Sequence, residues 1–325
     1  MELSVVIPVF NEETNIREVY QRVAAELESV SCGFEIIFVD DGSTDSSVDQ
    51  IASLHRFDPR VKLLSLSRNF GHQTALTAGM DHAQGDAVIA MDADLQHPPA
   101  LIREFLGHWK NGYEVVYTIR KDTQDATTLK RWSAKFFYRV FSALSGIDVP
   151  ANSADFRLLD RRVVEAFRQI RERTRFLRGL VGWAGFRSIA VPYEAPARHS
   201  GTSKYSARRM MRFAIDGLVS FSATPLYMAI YVGALMALLG CVYMFYVLYA
   251  RLVTGNVVPG WTSLIILVSF IGGIQLIIMG IIGVYIGKIY EETKQRPLYL
   301  IRDTLGLGNT EGRPARVPFS ESAKS

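Results

Sequence analysis

The chain has 325 residues, 49% of them hydrophobic, enough for one large domain and a further element. Its 36 basic and 32 acidic residues nearly cancel to +4, so bulk charge gives no support to nucleic-acid binding, which would need basic residues gathered on one folded face. Only two cysteines occur, Cys32 and Cys241, which argues against a disulfide framework and fits a reducing compartment.

Leu3–Ile7 reads as a buried strand; it is too short for a secretory leader, lacks a basic flank and is broken by Pro8. Pro8-Val9-Phe10-Asn11-Glu12-Glu13 forms a loop. Ile16, Val19, Val23 and Leu27 then recur at helical spacing in a helix reaching about Ser29. Phe34–Val39 is a second strand ending on Asp40-Asp41-Gly42-Ser43, and Thr44 or Asp45 caps the next helix. Val61–Leu66 is a third strand and Gln73–Ala83 a helix; Val88–Met91 is a fourth strand, Leu101–Trp109 a helix and Val115–Ile119 a fifth strand. This alternation predicts an α/β fold, a doubly wound and mostly parallel sheet with right-handed crossovers.

Three strand ends then carry polar residues to one edge: Asn11 and Glu12, Asp40 and Asp41, Asp92 and Asp94. Pro98 and Pro99 stop the strand that delivers the last pair. Asp92, Asp94 and the amide of Gln96 are hard oxygen donors suited to Mg²⁺ or Mn²⁺, which complete their shells with substrate phosphates. A helix N-cap with a solvated turn is the plainer alternative for this pair. The first strand is followed by no G-x-G-x-x-G, which argues against NAD, and there is no P-loop. Acidic strand ends suit a nucleotide held by base and ribose, with a metal neutralising its phosphates.

Beyond Tyr138 the pattern changes. Leu129–Leu144 reads as a helix interleaving aromatic and basic residues, either a membrane-surface element or a packed helix with snorkelling bases. Asn152–Asp160 brings a polar loop and a strand-like segment beside the cleft. Arg198–Tyr205 is a basic, glycine-containing loop of the kind that closes over a diphosphate, or a solvated turn. Tyr205–Ser222 is an amphipathic helix. Leu226–Ala250 and Trp261–Gly287 carry no charge, and each exceeds the ~20 residues that cross a bilayer. Lys204, Arg208, Arg209 and Arg212 precede the pair and Lys288, Lys294 and Arg296 follow it, which predicts both termini on the cytoplasmic side. The expected organisation is a catalytic domain over 1–204, a juxtamembrane helix over 205–224, two transmembrane helices within 225–290 (226–250 and 261–287), and a cytoplasmic tail over 291–325, disordered from Gly306.

Val5-Val6-Ile7-Pro8-Val9-Phe10-Asn11-Glu12-Glu13, Asp40-Asp41-Gly42-Ser43-Thr44-Asp45, Arg68-Asn69-Phe70-Gly71 and Asp92-Ala93-Asp94-Leu95-Gln96-His97-Pro98-Pro99 together resemble the family-2 glycosyltransferases of GT-A fold. Asp155-Phe156-Arg157-Leu158-Leu159-Asp160-Arg161 and the Arg198–Tyr205 loop, with the apolar pair, resemble the polyprenyl-phosphate branch, which includes dolichyl-phosphate mannose synthases. Glu172–Phe176 and Glu291–Tyr299 are most similar to the bactoprenol glucosyltransferases. The resemblance implies nucleotide-sugar contacts at Pro8, Phe10, Asn11, Glu12, Asp40, Asp41, Asp92 and Ala93. It implies metal ligation by Asp92, Asp94 and Gln96, and phosphate or lipid-phosphate contacts at Arg120, Arg131, Arg198, Ser203 and Lys204. Asp94 and Asp155 are the implied catalytic residues, Asp155 standing where the family has a base. The implied reaction is an inverting transfer of a hexosyl unit, read as glucose, from a UDP-sugar to undecaprenyl phosphate at a bacterial inner membrane, by a homo-oligomer that is a tetramer in the resembled family. A mannosyl or other sugar is an alternative. A processive polysaccharide synthase would carry Gln-x-x-Arg-Trp, whereas Thr128 precedes Arg131-Trp132 here. A non-catalytic membrane adaptor would show eroded acidic strand ends, and these are intact. The base role sits uneasily with the acceptor, because a phosphate monoester with a second pKa near ~6 is already mostly dianionic at neutral pH. Asp155 is therefore expected to orient Arg157 or another phosphate-binding cation, or to hold the metal's outer shell.

Overall fold

The computed structural model describes residues 2–30, 32–120, 153–173, 175–194, 222–249, 252–253 and 260–307. The helix expected over Leu129–Leu144, the Arg198–Tyr205 loop, residues 205–221 of the helix expected over Tyr205–Ser222 and the tail past Leu307 lie outside them. The chain divides into two compact units, one built on a sheet and one on two long helices.

The sheet unit opens with β1 (Leu3–Val9), α1 (Ile16–Ser29), β2 (Phe34–Asp40), α2 (Ser47–Phe57), β3 (Val61–Leu66), α3 (His72–His82), β4 (Ala87–Ala90), α4 (Leu101–Lys110) and β5 (Val115–Arg120). It continues with β6 (Ser153–Asp160), α5 (Arg161–Gln169), α6 (Leu177–Ala184), β7 (Ser188–Tyr193) and β8 (Ile301–Leu305). The eight strands lie in the order β7-β5-β6-β4-β1-β2-β3-β8. β1, β2, β3 and β4 are parallel neighbours, and every residue in them is buried, as expected of strands covered on both faces. Gly79 explains how closely α3 lies on this sheet: a Cβ there would stand 2.2 Å from Val6 Cγ1 and 2.9 Å from Val39 Cγ2. Pro8 is tolerated in a central strand because β4 pairs with β1 only as far as Val6.

Three features depart from the sequence expectation. β5 does not extend the parallel run beside β4; β6 inserts between them, antiparallel to both, with Phe156, Leu158 and Leu159 buried. Helix–strand alternation implies crossovers but not the order in which strands are laid down. The segment after Arg296, expected as a tail, returns to the sheet as β8, antiparallel to β3 at its edge, with Leu305 packed against the core. Its alternating half-buried and exposed residues are a weak signal over so few positions. Finally, α5, α6 and β7 carry no assignment in the sequence reading. The α5 core face rests on Val163, Val164 and Phe167 among arginines, and α6 ends on Gly185 at φ +69°.

The second unit holds α7 (Thr224–Tyr249) and α8 (Trp261–Thr293). The spans Thr224–Tyr246 and Phe270–Thr293 each reach a mean hydropathy of 2.1 over residues that are not buried inside the protein, so both helices are long and apolar enough to cross a membrane. The second runs beyond the expected Gly287. Within this unit the Tyr285 hydroxyl donates to the Ser222 carbonyl at 2.6 Å.

Candidate active site

The carboxyl ends of β1 and β2 are laced together. Asn11, at φ +56°, accepts the Thr44 amide at 2.8 Å on its side-chain oxygen and donates its own amide to Ser43 Oγ at 3.0 Å. The Glu12 amide donates to Ser47 Oγ at 3.1 Å, and Asn15 Nδ2 to Glu12 Oε2 at 2.6 Å. The two aspartates that follow shape the loops. Asp40 is buried and accepts the Ser43 amide at 2.9 Å and Ser65 Oγ at 2.8 Å. Asp41 accepts the amides of Phe70 and Gly71 at 2.7 and 2.9 Å, fixing the Arg68–Gly71 turn; burial pushes its carboxyl up, against those amides. Gly42, at φ +76°, is required there, since a Cβ would lie 2.7 Å from the Arg68 carbonyl carbon. Pro8 is buried within β1, whereas Phe10 stays 46% exposed beside the strand end.

At the end of β4 the chain turns through Leu95 in the left-handed region, φ +61°, a strained setting for a leucine. The turn separates two half-exposed carboxylates, Asp92 and Asp94, and leaves Ala93 and Leu95 in the core. Asp94 Oδ1 accepts the Gln96 amide at 3.1 Å. Asp92 Oδ1 pairs with His72 Nε2 at 2.7 Å, and Oδ2 lies 3.8 Å from His97 Nε2. The Asp92 amide donates to His97 Nδ1 at 3.0 Å, so a neutral His97 carries its proton on Nε2, towards the carboxylate. The His97 ring stacks on Phe156 at 5.1 Å and meets the edge of Tyr193 at 6.2 Å. Burial acts to raise the Asp92 pKa, but the His97 and His72 charges and the His72 hydrogen bond outweigh it and lower it. For His72, burial acts downward and is outweighed by the bond to Asp92 and the charges of Asp92 and Asp155, so its pKa is raised.

Asp155 belongs to β6, the strand that pairs with β4. Arg157 Nη2 reaches its Oδ1 at 2.6 Å and also the Ala154 carbonyl at 3.2 Å. Arg178 of α6 grips it as a fork, Nε to Oδ1 and Nη2 to Oδ2, both at 3.0 Å. Gln73 adds its amide at 3.2 Å. Although burial acts against ionisation, the two guanidiniums hold the Asp155 carboxyl well below the usual carboxylate range. Arg120, the last residue of β5, is in register with Tyr193 of β7. The Tyr193 phenol, raised by burial, lies in the field of Arg120, Asp92, Asp94 and Arg178.

The structure therefore brings Asp92, Asp94, Asp155 and Arg120 near one another, Asp155 acting on Asp92 and Arg120 acting with Asp92 and Asp94 on Tyr193, at the same edge of the sheet as the Asn11, Glu12 and Asp40 loops. Arg131, Arg198, Ser203 and Lys204 lie outside the described residues. His72, Gln73 and Arg178 are polar members of the site for which the sequence offered no role; the bond from Gln73 to Asp155 spans 82 positions, and no local pattern signals it. Among the described residues no three His, Cys, Asp or Glu side chains form a metal-binding group. Asp92 and Asp94 nonetheless fit a divalent cation that takes two carboxylates and completes its shell on a substrate diphosphate, each keeping one oxygen without a hydrogen bond among the described residues.

A family model described as Glycosyl transferase family 2 matches residues 4–168. The chain is 45% identical to the uncharacterized glycosyltransferase YkcC of Bacillus subtilis, over 95% of this chain and 96% of that one. It is 40% identical to the bactoprenol glucosyl transferase of Shigella phage SfV, over 93% and 99%. Among solved structures, mannosyl-3-phosphoglycerate synthase from Rubrobacter xylanophilus is 20% identical with a TM-score of 0.49, covering 66% of this chain and 71% of that one.

Proposed function

Since this chain belongs to glycosyl transferase family 2, we propose that it moves one hexosyl unit, glucose, from a UDP-sugar to a polyprenyl phosphate, undecaprenyl phosphate in a bacterial membrane. The observation that carries this reading is Asp155. A sugar hydroxyl must lose a proton as it attacks, so a hydroxyl acceptor calls for a base. A carboxylate clamped by Arg157 and Arg178 is a poor one. A phosphate acceptor arrives already ionised and needs none. The same consideration disfavours a processive polysaccharide synthase. The near full-length likeness to a protein named bactoprenol glucosyl transferase supports the lipid acceptor.

In the proposed reaction a phosphate oxygen of the acceptor attacks C1 of the sugar from the face opposite UDP. The C1–O–P bond to the lipid forms, the bond to UDP breaks, and its electron pair leaves with the diphosphate. The loops carrying Phe10, Asn11, Glu12 and Asp40 hold the nucleoside. Asp92 and Asp94, with Gln96 beside them, would hold a Mg²⁺ or Mn²⁺ that neutralises the departing charge. Asp155 aims cations and takes no proton. Residues 1–204 form the catalytic domain in this reading. The helix pair anchors it at the cytoplasmic face with both termini inside, as the flanking lysines and arginines support.

Transfer of label from a panel of radiolabelled nucleotide sugars to undecaprenyl phosphate, using purified full-length protein, tests the reading. UDP-glucose should label the lipid fraction most strongly; label that appears only as free hexose would refute it.

A further inference from the structure

We propose that His72 is the positioning residue that aims the cation-binding carboxylate of Asp92, and that Gln73 holds His72 in the tautomer this needs. The inference deepens the function proposed above and rests on it, since it concerns the residues that would hold the metal of that reaction. His72 Nε2 stands 2.7 Å from Asp92 Oδ1. The other carboxylate oxygen, Oδ2, has no hydrogen bond among the described residues and lies 3.8 Å from His97 Nε2. A hydrogen bond to one oxygen fixes the rotation of the carboxylate and leaves the other to meet a cation. Partners behind a metal ligand tune its affinity in this way.

The direction of that bond follows from Gln73. Its side-chain carbonyl accepts the Leu177 amide at 3.3 Å, and its Nε2 donates to Asp155 Oδ2 at 3.2 Å. A backbone N–H on one end and a carboxylate on the other admit only one orientation of the Gln73 amide. The same Nε2 stands 3.3 Å from His72 Nδ1, so that ring nitrogen is the acceptor and the ring proton sits on Nε2, facing Asp92. One amide group thus serves two partners, with a hydrogen for His72 and a hydrogen for Asp155.

The pair stands on a fixed base. His72 and Gln73 are the first two residues of α3. The Gly71 carbonyl just before them accepts the amides of Thr74 and Ala75 at 2.9 and 3.0 Å, and the Gly71 amide donates to Asp41 at 2.9 Å. Adjacent side chains on a helix diverge by ~100°, so one turn can send His72 to Asp92 and Gln73 to Asp155. His72 keeps 43% of its side-chain exposure, and removing it takes away little packing.

The test uses full-length protein in detergent in the presence of UDP, and reads Mn²⁺ binding by electron paramagnetic resonance, without turnover. H72A should weaken Mn²⁺ binding by ~10–100-fold, the cost of losing a partner behind a metal ligand. H72Q, whose amide nitrogen reaches the place of Nε2, should restore most of that loss. H72N, whose shorter side chain does not reach, should behave as H72A does, and it carries the test if H72A fails to fold. Q73A should weaken binding by a smaller factor. The H72A/Q73A double variant should lose no more than H72A alone, because Gln73 acts through His72. Thermal melting of each variant confirms folding. Equal Mn²⁺ affinity in H72A and the wild type overturns the proposal; so does an equal loss in H72Q and H72N, an additive loss in the double variant, or a wild type that binds no Mn²⁺. A pulsed-resonance signal from a directly bound imidazole nitrogen also overturns it, since His72 would then be a ligand. If the wild type binds Mn²⁺ with help from His72 yet transfers no sugar to undecaprenyl phosphate, the proposed function fails and this assignment stands.

Discussion

Asp94 is half-exposed at the end of a strand, and one of its oxygens only steadies the Gln96 amide. Asp94→Asn removes charge without removing packing, so the fold should persist while kcat falls by roughly 10²-fold or more and KM changes less. Turnover near that of the wild type at limiting Mg²⁺ would contradict a metal role. Asp155 behaves differently. Its depressed pKa means that it stabilises the fold above the unfolded-state value of about 3.9, and that this contribution is lost as pH falls through the still lower folded value. It therefore contributes no titration near neutrality. The acidic limb of the wild-type rate profile should follow the acceptor phosphate, near ~6. Asp155→Asn should keep that limb, lose a roughly constant factor in rate, and lose about 3–5 kcal/mol of stability because Arg157 is left buried without its carboxylate. A limb that vanished in the mutant would make Asp155 the base. Asp92 and Asp94 stand out in the sequence because a strand end and a proline stop mark them locally, and Asp155 stands out only through the motif that resembles the family; the roles of all three are proposals. Arg178, His72 and Gln73 do not stand out, since their meaning comes from partners on other elements that only the folded chain supplies.

At the level of elements, β1 to β4 were legible because continuous apolar runs bounded by polar loops admit few other readings. The position of β6 and the return of β8 depend on long-range pairing that periodicity does not encode. β8 has a testable consequence. It covers the edge of β3, accepts the Ser67 amide on the Leu300 carbonyl at 2.9 Å, and follows Tyr299, whose hydroxyl donates to Asp81 at 2.8 Å. A chain ending at Arg296 leaves that edge open to pairing with other molecules. Its melting temperature should fall by about 2–4 °C for each kcal/mol lost, and aggregation should increase on heating. An unchanged melting curve would show β8 to be dispensable.

For the whole molecule, α7 and α8 are long and apolar enough to cross a membrane, which is where the proposed function places the acceptor lipid. An enzyme held in the plane of its lipid substrate replaces a three-dimensional search by a two-dimensional one. The apolar helices were legible from length and lack of charge alone; the sugar was not, because no local motif specifies contacts to hexose hydroxyls. The central claim is one displacement at C1 by a lipid phosphate. It is tested most directly by isolating the lipid formed from UDP-glucose and undecaprenyl phosphate by the full-length protein and determining its linkage and anomeric configuration. The expected product is a single glucose joined through C1 to the phosphate in the β configuration, inverted from the α-linked donor. An α-linked product, a polymer, or glucose released only to water would contradict it.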